Sequence, residues 1–197
     1  IIDEQHKFGV NQRKKLSDKG GDNCDVLLMT ATPIPRTLTM TIYGDMDLSI
    51  IREKPKNRKP IKTYSKLETN IDDVIKFIKK EIKFGNQIFW VCPLIEESKK
   101  IDHTSAVKKY EYLKKLFPNQ VTLLHGKTNI DEKEVILNRF LKNEFKILVS
   151  TTIIEVGIDF PNANVIIIEN ANKFGLSQLH QLRGRVGRGD KDSACIL

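Results

Sequence analysis

Cysteine is scarce. The three in this 197-residue chain, Cys24, Cys92 and Cys195, lie far apart, with no Cys-x-x-Cys pair and no Cys/His spacing of the kind that holds zinc. A structural zinc is therefore not expected, and the pattern fits a reducing cytosol. Cys92 and Cys195 stand in apolar runs and read as buried thiols. Long apolar stretches are missing too: no run reaches the roughly 18 residues that mark a membrane helix, and no charged-then-apolar leader opens the chain. Neither secretion nor a membrane span is expected, and a cytoplasmic setting is. The chain starts on an apolar strand and finishes inside another, so both ends are expected to be cut ends. The most consequential absence is a Gly-x-x-x-x-Gly-Lys-[Ser/Thr] loop, the cradle that grips nucleotide phosphates; no position carries one.

Arginine is also rare. Of 33 basic residues only 8 are Arg, and three of those 8 fall in the stretch Arg183-Gly184-Arg185-Val186-Gly187-Arg188. Lys is the ordinary cation here, so this stretch selects for the guanidinium fork, which binds phosphate oxygens at two points and stays charged. Its glycines let the backbone come close to a partner. Arginines placed this way stabilise the charge that develops on a transferred phosphoryl group. An Arg-rich helix end in solvent is the plain alternative, and the other end of the chain weighs against it.

That end reads Ile1-Ile2-Asp3-Glu4-Gln5-His6, an apolar run leading into two carboxylates. It suggests a buried strand whose tip presents Asp3 and Glu4. In P-loop ATPases an Asp so placed holds the Mg²⁺ of the nucleotide, and a neighbouring Glu can orient and deprotonate the attacking water. Alone, the same letters describe a surface turn. Two hydroxyl-rich stretches lie between: Thr30-Ala31-Thr32-Pro33 after the apolar residues 26–29, and Ser150-Thr151-Thr152 through Asp159 after residues 147–149. Hydroxyls at strand tips bind phosphates or relay hydrogen bonds, and each stretch alone is also an ordinary capped turn.

Net charge is +8, and the excess sits in residues 52–197, with 27 basic against 18 acidic side chains. That suits an anionic polymer, and it also suits plain solubility. Residues 1–50 read as the tail of one α/β domain, with a strand at the start, a short helix around 12–16, a strand at 26–29 and a helix near 35–42. Residues 51–60 combine two prolines with five cations and read as an extended linker. From 61 onward strands alternate with helices. Strands are expected at 61–65, 87–92, 121–124, 147–150, 165–169 and 194–197, and helices at 71–84, 105–117, 131–141 and 176–183. The alternation argues for a parallel sheet covered on both faces. Phe89 and Trp90 read as core rather than as base-stacking aromatics.

In their order the four stations resemble the motor motifs of superfamily 2 helicases and translocases. Residues 3–6 are similar to motif II, 30–32 to motif III, 150–159 to motif V and 178–189 to motif VI. Residues 30–38 and 174–182 resemble two branches of that superfamily, the RecG-type branch-migrating helicases and the Mfd-type transcription-repair coupling translocases. Residues 90–98 and 154–157 resemble the RecG type. The resemblance covers essentially the whole chain.

This resemblance implies an α/β, RecA-like fold. Residues 1–50 would close a first RecA-like domain, 51–60 link, and 61–197 form most of a second. ATP would sit in the cleft between the two domains, with Asp3 on Mg²⁺, Glu4 as the water-orienting base and His6 coupling the ATP site to DNA, a task shared with Thr30 and Thr32. Arg185 and Arg188 would be arginine fingers, Gln181 would sit near the γ-phosphate, and Gly157 and Asp159 would line the same cleft. Arg183 would pair internally. Thr151 or Thr152 would meet a DNA phosphate, and the Gly126 amide, at the end of Leu124-His125-Gly126, would meet the backbone. The implied partners are ATP and branched DNA, meaning forks and Holliday junctions in recombination and repair, with action as a monomer. The alternatives are an Mfd-type translocase, whose partner is RNA polymerase, and a basic nucleic-acid-binding module without activity. The chain departs from the RecG pattern by lacking the phosphate loop and the wedge domain that holds branched DNA.

Overall fold

Two apolar runs near the start of the chain meet as neighbours. Ile2 and Leu28 form a single parallel bridge, with the Ile2 N–H donating to the Leu27 carbonyl at 2.8 Å and the Met29 N–H to the Ile2 carbonyl at 2.8 Å. Ile2 is buried, and helix α1 (Val10–Asp18) follows. The computed structural model to which these contacts belong describes residues 1–3, 8–21, 24–30, 47, 49–53, 58–93, 99–126, 128–151 and 159–197. The helix expected near 35–42 lies outside these residues. Where a strand was expected at 26–29 there is only the bridge at Leu28. The chain divides into two units, Ile1–Arg52 and Glu53–Leu197.

Among its described residues the second unit holds six strands: β1 (Ile61–Tyr64), β2 (Gln87–Val91), β3 (Val121–Leu124), β4 (Ile147–Ser150), β5 (Ala163–Ile168) and β6 (Ser193–Ile196). All pair in parallel, in the order β1-β6-β5-β2-β4-β3. Four α-helices of the described residues join them: α2 (Ile71–Lys83), α3 (Lys99–Leu116), α4 (Ile130–Leu141) and α5 (Leu176–Arg183). Helix α3 starts six residues before the expected 105, because Lys99-Lys100 opens it without any apolar repeat to reveal it. Helix α4 is capped by Asn129, whose side chain accepts from the Glu132 N–H at 2.7 Å.

The central strands are apolar on both faces, and this requires two cores. Ile88, Trp90, Ile147, Val149, Val165 and Ile167 meet α2 and α3 through Val74, Ile78, Ala106 and Leu113. The alternate residues Phe89, Val91, Leu148, Ile166 and Ile168 meet α4 through Leu137 and Phe140. Leu179 and Leu182 of α5 pack against this second core. Helices thus cover both sides of a parallel sheet, the RecA-like arrangement. Phe89 and Trp90 are core residues, each at most 1% exposed. Burial raises the Cys195 thiol to about 11; burial and the Glu169 carboxylate raise Cys92, so both remain thiols at neutral pH. No described helix is long and apolar enough to cross a membrane.

The second core centres on Phe89, Phe140 and Phe160, whose rings lie 5.5–5.6 Å apart. Phe140→Ala is expected to cost about 3–5 kcal/mol of stability in urea unfolding, since the surrounding strands cannot close on the cavity. A loss under about 1 kcal/mol would show that this face is loosely packed.

Candidate functional site

The Arg-Gly stretch is a fixed loop. Helix α5 begins where the Gln178 side chain accepts the Gly175 N–H at 3.0 Å, and it ends at Gly184, whose N–H donates to the His180 carbonyl at 3.0 Å. Beyond the helix, Val186 is fully buried in the second core and anchors the loop. Gly187 has φ +71°, and a Cβ there would stand 3.1 Å from Ile61 Cγ1 and 3.2 Å from Ser193 Oγ. The position therefore needs glycine twice over, for conformation and for space. The loop is seated where β1 and β6 begin.

Two further contacts complete it. Arg188 Nη1 stands 3.8 Å from Asp159 Oδ1, which joins two site residues that lie 29 positions apart. At that length the pair is an ion pair without a hydrogen bond, and the Arg188 side chain stays 31% exposed, so its N–H donors are open to an oxyanion. Arg58 donates through Nε to the Gly187 carbonyl at 3.1 Å and through Nη2 to the Gly184 carbonyl at 3.2 Å. Arg183 turns to its own helix, with Nη2 3.3 Å from His180 Nδ1. Gln181 on α5 and Arg185 are partly buried.

The remaining candidates fall in two other places. In the first unit the Ile2–Leu28 bridge puts Asp3 and Thr30 on adjacent chain ends; Asp3 is exposed and Thr30 partly buried. In the second unit Leu124 pairs with Ser150 across β3 and β4, so Gly126 and Thr151 leave neighbouring strand tips. Gly126 is exposed, has no positive φ, and has open space where a Cβ would go. No packing demand from the described residues explains a glycine there. Thr151 is only 2% exposed, so its side chain is not presented to a phosphate in this conformation. Glu4, His6, Thr32, Thr152 and Gly157 lie outside the described residues.

Reading the sequence missed Arg58, which lies in the stretch taken as linker. The signal was available: in a Lys-rich chain, an Arg among lysines and prolines merits the question asked of residues 183–188. It also missed the Lys109–Glu169 ion pair at 2.7 Å, with Lys109 5.1 Å above the Trp90 ring. That pair borders a cavity of about 960 Å³ lined by Trp90, Ile167, Leu176 and Ile196, which holds none of the candidate site residues.

Comparison with known proteins gives the arrangement a family. The helicase conserved C-terminal domain matches residues 69–190. The ATP-dependent DNA helicase RecG of Bacillus subtilis is 53% identical over the whole of this chain, and that of Aquifex aeolicus 55%. The chain covers 29% and 25% of their lengths, so it spans under a third of these relatives. A solved structure of RecG bound to a three-way DNA junction matches the whole chain with a TM-score of 0.74 at 45% identity, covering 25% of that chain. With its two-faced parallel sheet and its seated Arg-Gly loop, this chain belongs to the helicase conserved C-terminal domain family, and over its full length it is similar to RecG.

Proposed function

We propose that this chain is motor machinery of a RecG-type ATP-dependent DNA helicase, which couples ATP hydrolysis to translocation on DNA and remodels forks and Holliday junctions. The observation that carries the reading is the Arg185–Arg188 loop. A solvated helix end needs neither a buried Val186 nor a glycine held at positive φ against two strands. A loop that must deliver guanidinium groups to a reacting phosphoryl needs that rigidity, because stabilisation of developing charge depends on pre-set geometry. The whole-length similarity to RecG, including the structure bound to a three-way junction, supplies the DNA class.

In this reading Arg185 and Arg188 act on the transferring phosphoryl, Gln181 stands near the γ-phosphate, and Gly157 and Asp159 support them. Asp159 has a visible part, the ion pair that orients Arg188. Asp3 is suited to holding the Mg²⁺ that neutralises nucleotide charge, as an exposed carboxylate next to the Ile2–Leu28 bridge. Glu4 orients water, and His6, Thr30 and Thr32 couple the nucleotide to DNA. Gly126 offers its amide to the DNA backbone, Thr151 leaves the neighbouring strand tip, and Thr151 or Thr152 is the candidate for a DNA phosphate. The test uses the full-length protein that carries this chain, with Mg-ATP and synthetic forks whose arms are separately labelled. Strand products that require branch movement, with turnover stimulated more by forks than by linear duplex, are expected. Equal stimulation by linear duplex with intact forks would overturn the assignment.

A further inference from the structure

We propose that Arg58 is a positioning residue for Arg185 and Arg188. The inference rests on the reading of those two as arginine fingers. Its basis is which carbonyls Arg58 holds. The Gly184 carbonyl belongs to the peptide that joins Gly184 to Arg185, and the Gly187 carbonyl to the peptide that joins Gly187 to Arg188. One guanidinium thus fixes the peptide plane immediately before each finger. A planar fork with several donors can span two carbonyls at once; an ammonium, as a point charge, cannot hold both in one orientation. The Gly184 carbonyl also stands at the C-terminal end of α5, where carbonyls lack helical partners and a cation is favoured.

The other supports of the loop do not replace this one. Val186 and Gly187 fix where the backbone is seated, and both side-chain positions face the core or the start of the sheet. The Arg188–Asp159 pair orients the side chain of one finger only. The neighbouring Lys59–Asp192 pair, at 3.0 Å, joins side chains that are 53% and 70% exposed, and surface pairs of this kind hold little. Arg58 also follows closely on the boundary between the two units at Arg52 and Glu53. Among the described residues just past that boundary, Arg58 reaches the finger loop through its side chain.

The experiment compares Arg58→Lys and Arg58→Ala with wild type in the full-length protein, by turnover number, KM for ATP and melting temperature. Both variants are expected to lower kcat about 30-fold, on the scale of misplacing a catalytic group by an ångström, with KM changed by less than about threefold. The same Arg58→Ala change is then made in an Arg188→Ala background. There it is expected to cost no more than about 10-fold, since one of the two groups it positions is gone. A kcat within about twofold of wild type for both Arg58 variants, or an undiminished loss in the Arg188→Ala background, overturns the proposal. A melting temperature that falls in Arg58→Ala and is fully restored in Arg58→Lys together with kcat also overturns it, because charge and packing would then suffice. Turnover that survives Arg188→Ala itself contradicts the finger reading instead, whatever Arg58 does.

Discussion

The purified 197-residue chain, at saturating ATP and Mg²⁺, is expected to release no phosphate above background, with branched DNA present or absent. The sequence has no phosphate loop, so nothing in it grips the β- and γ-phosphates from their backbone side. Asp3 and Glu4 can present a metal site and a base, and Arg185 and Arg188 can stabilise developing charge. None of these holds the reacting atoms in line. Correct placement of reactants contributes about 7–11 kcal/mol in well-oriented systems, and its loss takes hydrolysis below detection. Weak DNA binding is compatible with this, because the second unit carries the basic excess, and it should fade steeply with added salt. A DNA-stimulated phosphate signal that Glu4→Gln abolishes would show that the chain contains a phosphate grip of another kind.

In the full-length protein, Arg185→Ala and Arg188→Ala are each expected to lower ATP turnover by about 10³-fold, roughly 4 kcal/mol of barrier. The structure indicates why such a loss would be catalytic. Among the described residues Arg188 pairs with Asp159 at 3.8 Å, and both side chains are partly exposed. Removing a pair of that kind costs a fold about 0–1 kcal/mol. The backbone of the loop keeps its seat through Val186, Gly187 and Arg58, none of which is altered. Thermal unfolding of Arg188→Ala should therefore stay close to wild type while its turnover collapses.

Much of this was legible in the residues. The alternation from 61 onward fixes strand and helix positions closely, because two-faced strands such as β2 are bounded by amphipathic helices with sharp stops. Boundaries failed where sequence pattern falls silent: α3 opens on lysines, and residues 26–29 offer an apolar run with only one bridge to satisfy it. The Arg-Gly cluster was visible as a local departure from a Lys-rich background. The groups that hold it were not, since Arg58 and Asp159 reach it across 126 and 29 positions and only the fold brings them there. Burial of Thr151 was hidden for the same reason: a strand-tip hydroxyl looks alike in sequence whether it faces solvent or the core.

That Arg185 and Arg188 act on the transition state, and not on binding or folding, is tested most directly by measuring turnover and nucleotide affinity together in the full-length Arg185→Ala and Arg188→Ala variants. The expected result is turnover lower by about 10³-fold with ATP affinity within about threefold of wild type. Turnover within about threefold of wild type, or affinity and turnover lost in equal measure, would contradict it.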